Sequence, residues 1–317
     1  MLAVSSLPQF ITAAGVYAVL RAEMVHDYPD LETDSVETIH LRGLAEDDSI
    51  VLQKSPFSRD IPSSTLLTFP GNVDEAIVNG IIPENPKLPP KTGRCELHLE
   101  LGELLGSGAT GVVHAVTSLE GVDVPLCVKI AFPSERAALS SEAWFYDDLQ
   151  DIQGVVIPKC FGYFEKTLSL STRLRISDHR SRFPTWDNGA DRGTIPGRIG
   201  VLLLEKLSGE HLELHTQFRD DNSHAIYCLF LELSHRFVHH NDIRYDNILR
   251  VVPSGVPVPH RPTSQEQISS PWRLVDLASC QKHTFDRMRH YLYLHGSRVR
   301  HLLKNVQAQE GHISDDM

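Results

Sequence analysis

Gly106-Ser107-Gly108-Ala109-Thr110-Gly111-Val112-Val113 lies between two strand-like segments. Upstream, Leu97-His-Leu-Glu-Leu-Gly102 alternates apolar and polar residues, the period of a half-covered strand. Downstream, Gly111-Val-Val-His-Ala-Val116 is β-branched and continuous. Small residues let a backbone turn tightly and aim its N–H groups at phosphate. Glycine-rich turns are common, so the spacing alone is weak. The setting carries more: a dinucleotide-binding loop opens a helix, whereas here a second strand follows.

Working outward, Pro125-Leu-Cys-Val-Lys-Ile130 reads as a further strand. It carries Lys129 inside an apolar run. An unpaired ammonium there is costly, so the lysine either faces solvent on an edge or has a carboxylate partner. The segment Ser134 to Gln150 reads as a helix with Ser134 as its N-cap. Leu139, Ala143, Tyr146 and Leu149 mark one face, and Glu142 lies on it, pointing inward as the candidate partner of Lys129. Strands are expected over 155–164 and 200–204, a helix over 222–237, a strand pair over 247–251 and 272–276, and a last helix over 285–305. Two surface insertions interrupt this order, 167–198 and 252–271. The first carries Arg173, Arg175, His179, Arg180, Arg182, Arg192 and Arg198, either a solvated loop or a holder of an acidic partner.

The strongest chemical signal is His240-Asn241-Asp242-Ile243-Arg244-Tyr245-Asp246-Asn247, between a helix and a strand. In-line phosphoryl transfer needs a carboxylate at the incoming hydroxyl and oxygen ligands for Mg²⁺. Asp242 and Asn247, five residues apart, supply both types in one loop. Arg244 is placed to neutralise a γ-phosphate, His240 reads as a structural hydrogen-bonder and Asp246 as solvated. In Leu274-Val-Asp276-Leu-Ala278, a carboxylate closes an apolar strand, as a further Mg²⁺ ligand would.

The bulk properties narrow the classes. The 317 residues are 41% hydrophobic, enough for a sizeable core. The net charge of -11 argues against a general nucleic-acid binder, which needs a basic footprint. Five cysteines stand without CxxC spacing, which points to reduced thiols and a cytoplasmic or nuclear protein. Met1 to Leu20 is uncharged, yet it lacks a basic start and polar residues dilute it, so neither a signal nor a membrane span is expected. Four prolines within 82–93 read as a linker.

Together these motifs make the chain resemble the protein-kinase-like superfamily, and more narrowly the short, divergent fungal proteins with patterns such as HGDIRxxNIL. The resemblance covers about residues 96–280. It implies an α+β, two-lobed fold with a β-rich N-lobe (94–207) and a reduced helical C-lobe (208–317), preceded by an N-terminal extension and linker (1–93). Carried over, Gly106, Gly108 and Gly111 would cover the ATP phosphates, with Val113 in the same nucleotide-binding motif. Lys129 would grip them and Glu142 would hold Lys129. Asp242 would be the base, Asn247 and Asp276 would bind Mg²⁺, and backbone near Glu205, Lys206 and Leu207 would meet adenine. The departures are Asn241 for the usual arginine, Arg244 for the usual lysine, and Asp276-Leu-Ala278 for Asp-Phe-Gly. No APE motif follows, and only 41 residues lie beyond Asp276. The implied function is transfer of the ATP γ-phosphate to a protein Ser or Thr hydroxyl. The alternatives are a nucleotide-binding pseudokinase or scaffold, and a small-molecule phosphotransferase of the aminoglycoside-kinase type. The expected partner is a protein substrate, with no nucleic acid and no membrane; oligomeric state is left open.

Overall fold

The computed structural model describes residues 31, 35–45, 49–56, 85, 95–108, 110–119, 125–131, 135–169, 198–207, 211–212, 220–251, 270–284 and 288–313. Within these, strands β1 (Val36–Arg42), β2 (Ile50–Lys54), β3 (Cys95–Ser107), β4 (Gly111–Ser118) and β5 (Leu126–Ala131) precede helix α1 (Arg136–Asp148). Strands β6 (Cys160–Thr167) and β7 (Arg198–Glu205) follow, then helix α2 (Asp220–His235). Four short strands come next: β8 (Val238–His240), β9 (Ile248–Arg250), β10 (Trp272–Leu274) and β11 (Cys280–Lys282). Helix α3 (Met288–Ile313) is last.

Strands β1 to β7 close into a barrel in the order β1-β2-β6-β7-β5-β4-β3, with β3 returning to β1. Alternation along the strands decides what faces inward. On β5, Leu126, Val128 and Ile130 point into the barrel, where they meet Ile39, Leu41, Leu52, Leu97, Leu99, Phe164, Val201 and Leu203. Cys127 and Ala131 belong to a second apolar core outside the barrel, against α1, α2 and β8 to β11. Strand β5 is thus buried on both faces, which is why it reads as a nearly continuous apolar run. Each fully buried aliphatic side chain contributes roughly 1.5–3 kcal/mol.

The two-lobed α+β kinase arrangement expected from the resemblance is not the observed architecture. Seven strands form one closed barrel, and three helices are present among the described residues. The physical reason lies in β1 and β2, from the region read as an extension. Without them the sheet β3-β4-β5-β7-β6 would be open, with β3 and β6 as edges. Strand β1 covers β3 and β2 covers β6, so no edge remains. Strands from both sides of the proline-rich stretch therefore share one sheet.

Locally the elements follow the sequence pattern more closely. The expected helix over 134–150 is α1, with Leu139, Ala143, Tyr146 and Leu149 all buried along it or at its C-cap. The strand expected over 155–164 begins only at Cys160; a turn and an isolated bridge from Gln153 to Ile157 precede it. The strand pair β9·β10 lies within the two segments expected for it, and the last helix runs from Met288. Ser134, Ala109, Met1 to Leu20, most of the proline-rich stretch, Arg173 to Arg192 and most of the 252–271 insertion lie outside the described residues.

Candidate active site

Strand alternation turns Lys129 away from the barrel interior and toward α1. There Glu142, one helical turn past Leu139, presents its carboxylate. The Lys129 Nζ donates to Glu142 Oε2 at 2.6 Å and to Asp276 Oδ1 at 2.7 Å. The Leu277 N–H also bonds the Glu142 carboxylate, so the segment after β10 is fastened to α1. Burial draws the Lys129 ammonium down, but Glu142 and Asp276 outweigh it, and its pKa is pushed up to about 12. Burial raises the Glu142 carboxyl against the pull of Lys129. For Asp276, burial raises and Lys129 lowers; the ammonium wins, holding it below the usual carboxylate value. Lys129 is therefore a cation throughout the physiological range.

Asp276 adopts left-handed backbone, φ 62° and ψ 64°, uncommon for a residue other than glycine. Aspartate tolerates this conformation better than most, and it turns the carboxylate out of the β10 direction toward Lys129. Strained backbone of this kind concentrates at functional positions.

The loop after β8 is built on buried hydrogen bonds. His240 donates from Nε2 to the Val275 carbonyl at 3.2 Å, and its backbone N–H donates to His295 Nε2 at 3.0 Å. Burial pushes the His240 imidazole down, which keeps it neutral and structural. The Asn247 amide nitrogen donates to the Asp242 carbonyl at 2.9 Å and to Asp242 Oδ2 at 3.1 Å. That commits its nitrogen and makes its carbonyl oxygen the end able to hold a cation. The Val275 N–H donates to the Asn247 backbone carbonyl at 3.0 Å, tying the Asp242–Asn247 loop to the strand that leads into Asp276. Asp246 is exposed. Arg244 lies on the Asp242 carboxylate, Nη2 to Oδ2 2.7 Å.

The glycine-rich turn is closed by the Gly108 N–H bonding the Gly111 carbonyl at 2.9 Å, and Gly106 pairs with Val113 across β3 and β4. The glycines differ. A side chain at Gly106 or Gly108 would meet nothing within 4 Å, whereas a Cβ at Gly111 would stand 2.1 Å from the Ile130 carbonyl oxygen. Gly111 is thus demanded by packing on β5, while the other two leave space above the turn. Val113, opposite Lys129 in the β4·β5 register, packs against the outer core beside the site.

The segment expected to meet adenine is more committed than a recognition edge would be. The Glu205 N–H bonds the Lys159 carbonyl at 2.9 Å, the Lys206 N–H bonds the Pro125 carbonyl at 2.8 Å, and Leu207 is buried. Periodicity did not reveal the supporting residues. His295 comes from α3, and its only sequence signal is a histidine on a helix with an apolar face.

All five cysteines are free thiols, and no helix among the described residues is long and apolar enough to cross a membrane. No protein-family model matches the chain, and no curated protein is significantly similar to it.

Proposed function

We propose that the chain is a phosphotransferase that uses ATP and Mg²⁺ to phosphorylate a protein hydroxyl, serine or threonine. The observation that carries this reading is the convergence of Lys129, Glu142 and Asp276 at 2.6 and 2.7 Å beside the hydrogen-bonded Asp242–Asn247 pair. The donor set suits a hard divalent cation. Magnesium takes oxygen ligands, one or two of them carboxylates, and shares the rest with phosphates and water. The Asn247 side-chain oxygen Oδ1 and the Asp276 carboxylate are such ligands, and the Asp276 side chain keeps a third of its surface exposed. When bound with the nucleotide, Mg²⁺ supplies charge neutralisation on the transferred group.

The chain's own residues would do the rest. Lys129, held charged by Glu142, would bind the α- and β-phosphates. The glycine-rich turn would cover them with N–H groups and exclude water. Asp242 would orient the incoming hydroxyl and take its proton, with Asn247 holding the carboxylate in place.

A second reading has one observation of its own. Arg244 neutralises the Asp242 carboxylate directly. A base occupied in this way suits a nucleotide-binding scaffold with little turnover. One experiment separates the readings: incubation with γ-labelled ATP, Mg²⁺ and generic protein substrates, beside Asp242→Asn and Lys129→Met. Transfer that falls about 10²–10⁴-fold in Asp242→Asn supports the enzyme. Nucleotide binding without Asp242-dependent transfer supports the scaffold. Transfer only to small aminoglycoside-like acceptors supports the small-molecule class. Failure to bind ATP, with Lys129→Met equal to wild type, removes all three.

A further inference from the structure

Strands β1 and β3 run parallel, unlike the other neighbouring pairs of the barrel, and their pairing closes it. Their register sets His40 directly across from His98 and Thr38 across from Glu96. The inward positions are Ile39, Leu41, Leu97 and Leu99, all buried. By alternation, His40, Glu96 and His98 share the outer wall. Glu96 Oε1 contacts His40 Nε2 and lies 4.0 Å from His98 Nε2. The two imidazole rings stack with centroids 4.2 Å apart and planes 13° from parallel. One ligand atom from each of the three residues falls within 4.8 Å of the others.

We propose that His40, Glu96 and His98 form a zinc site that fastens the closing seam of the barrel. Two imidazoles and a carboxylate are a donor set of Zn²⁺, with a fourth, open position for water. The alternative, a simple ion pair, explains the arrangement less well. One carboxylate faces two stacked imidazoles, and an ion pair would hold His40 closely while leaving His98 4.0 Å away. A divalent ion satisfies all three ligands at once. Ligand distances of about 2.0–2.2 Å space tetrahedral ligand atoms by roughly 3.4 Å. The side chains of His98 and Glu96 are 42% and 58% exposed, so solvent leaves them room to turn toward that spacing. The ion would link positions 56 residues apart in the chain, so it would act on barrel closure and not on the Lys129 site.

The test uses the full chain, stripped with a chelator and titrated with Zn²⁺ alone. The expected result is one Zn²⁺ per chain and a higher melting temperature with the ion than with chelator. In H40Q, E96Q or H98Q, binding weakens by more than the roughly 10–100-fold that loss of a mere supporting residue causes. The variants also lose the Zn²⁺-dependent rise in melting temperature. Their melting temperature in chelator equals that of wild type in chelator, which shows that the fold is intact. Substituted Co²⁺ shows the intense visible bands of a tetrahedral site. Binding of no Zn²⁺, equal binding by wild type and all three variants, or a weak octahedral Co²⁺ spectrum overturns the proposal.

Discussion

Helix α1 carries two buried carboxylates, and each holds a buried lysine from a different strand. Glu142 binds Lys129 of β5 at 2.6 Å, and Asp148 binds Lys282 of β11 at 2.5 Å. The surroundings differ. At Lys129 the second acceptor is Asp276, whose side chain is 33% exposed. At Lys282 the pair is sealed, with side-chain exposures of 0% and 2%. There the Asn85 amide donates to Asp148 Oδ2, and the Arg236 carbonyl accepts from Lys282. A charge closed in on every side can only hold structure together. A pair that reaches the surface through one member, here Asp276, can also meet a ligand. Burial of an ion pair is therefore not the mark of a site; access is.

The largest expected effect breaks the sealed pair. Asp148→Ala strands the Lys282 ammonium in the core and costs about 3–5 kcal/mol in chemical denaturation. Replacing both partners with apolar residues restores most of it, because the desolvation cost leaves with the charges. A loss under about 1 kcal/mol for the single variant would remove the structural side of the contrast.

Next comes the open pair. Asp276→Asn keeps the Lys129–Glu142 contact and most of the shape. Under the proposed function, phosphoryl transfer is expected to fall roughly 10²–10³-fold, as for loss of one preorganised electrostatic contact, while stability changes by about 1 kcal/mol or less. Rates and unfolding curves measured on one preparation show whether the open pair moves activity and the sealed pair stability.

The glycine turn permits a finer division. Gly111→Ala forces a Cβ against the Ile130 carbonyl oxygen and costs about 1–3 kcal/mol. Gly108→Ala meets open space, so stability is expected to stay within about 0.5 kcal/mol, and under the proposed function any change falls on nucleotide affinity.

The last effect is in pH. In β8, His239 stacks on His295 of α3 with ring centroids 4.3 Å apart. Burial, with Arg298 and His283 nearby, lowers His239 from 6.5 to about 3. The folded value lies below the unfolded one, so the unfolded chain takes up protons first. The stability from a neutral His239 is fully present above pH 6.5 and is lost as pH falls toward about 3. The slope approaches about 1.4 kcal/mol per pH unit. Denaturation midpoints from about pH 7 to about pH 5 are expected to fall less steeply in His239→Gln than in wild type.

The sequence was most legible where the signal was local. The charged residue in an apolar strand and the carboxylate on an apolar helix face called for each other, and Lys129 and Glu142 do meet. The spacing of Asp242 and Asn247 placed both in one loop, and a hydrogen bond joins them. The contact of Arg244 with Asp242, only two positions away, was not legible in the spacing. The sealed pair escaped notice because Lys282 and Asp148 stand 134 residues apart, and each alone is an ordinary charged residue.

By itself the sequence determined the strand–turn–strand around the glycines, the buried face of α1 and the loop that carries Asp242. These follow from backbone periods and from the cost of burying an unpaired charge, both local properties. Tertiary structure alone decided that β1 and β2 close the sheet into a barrel, that His40, Glu96 and His98 share a wall, and which buried lysine has an exposed partner. Those outcomes depend on which distant strands pair, and residue order in one chain carries no period for contacts so far apart.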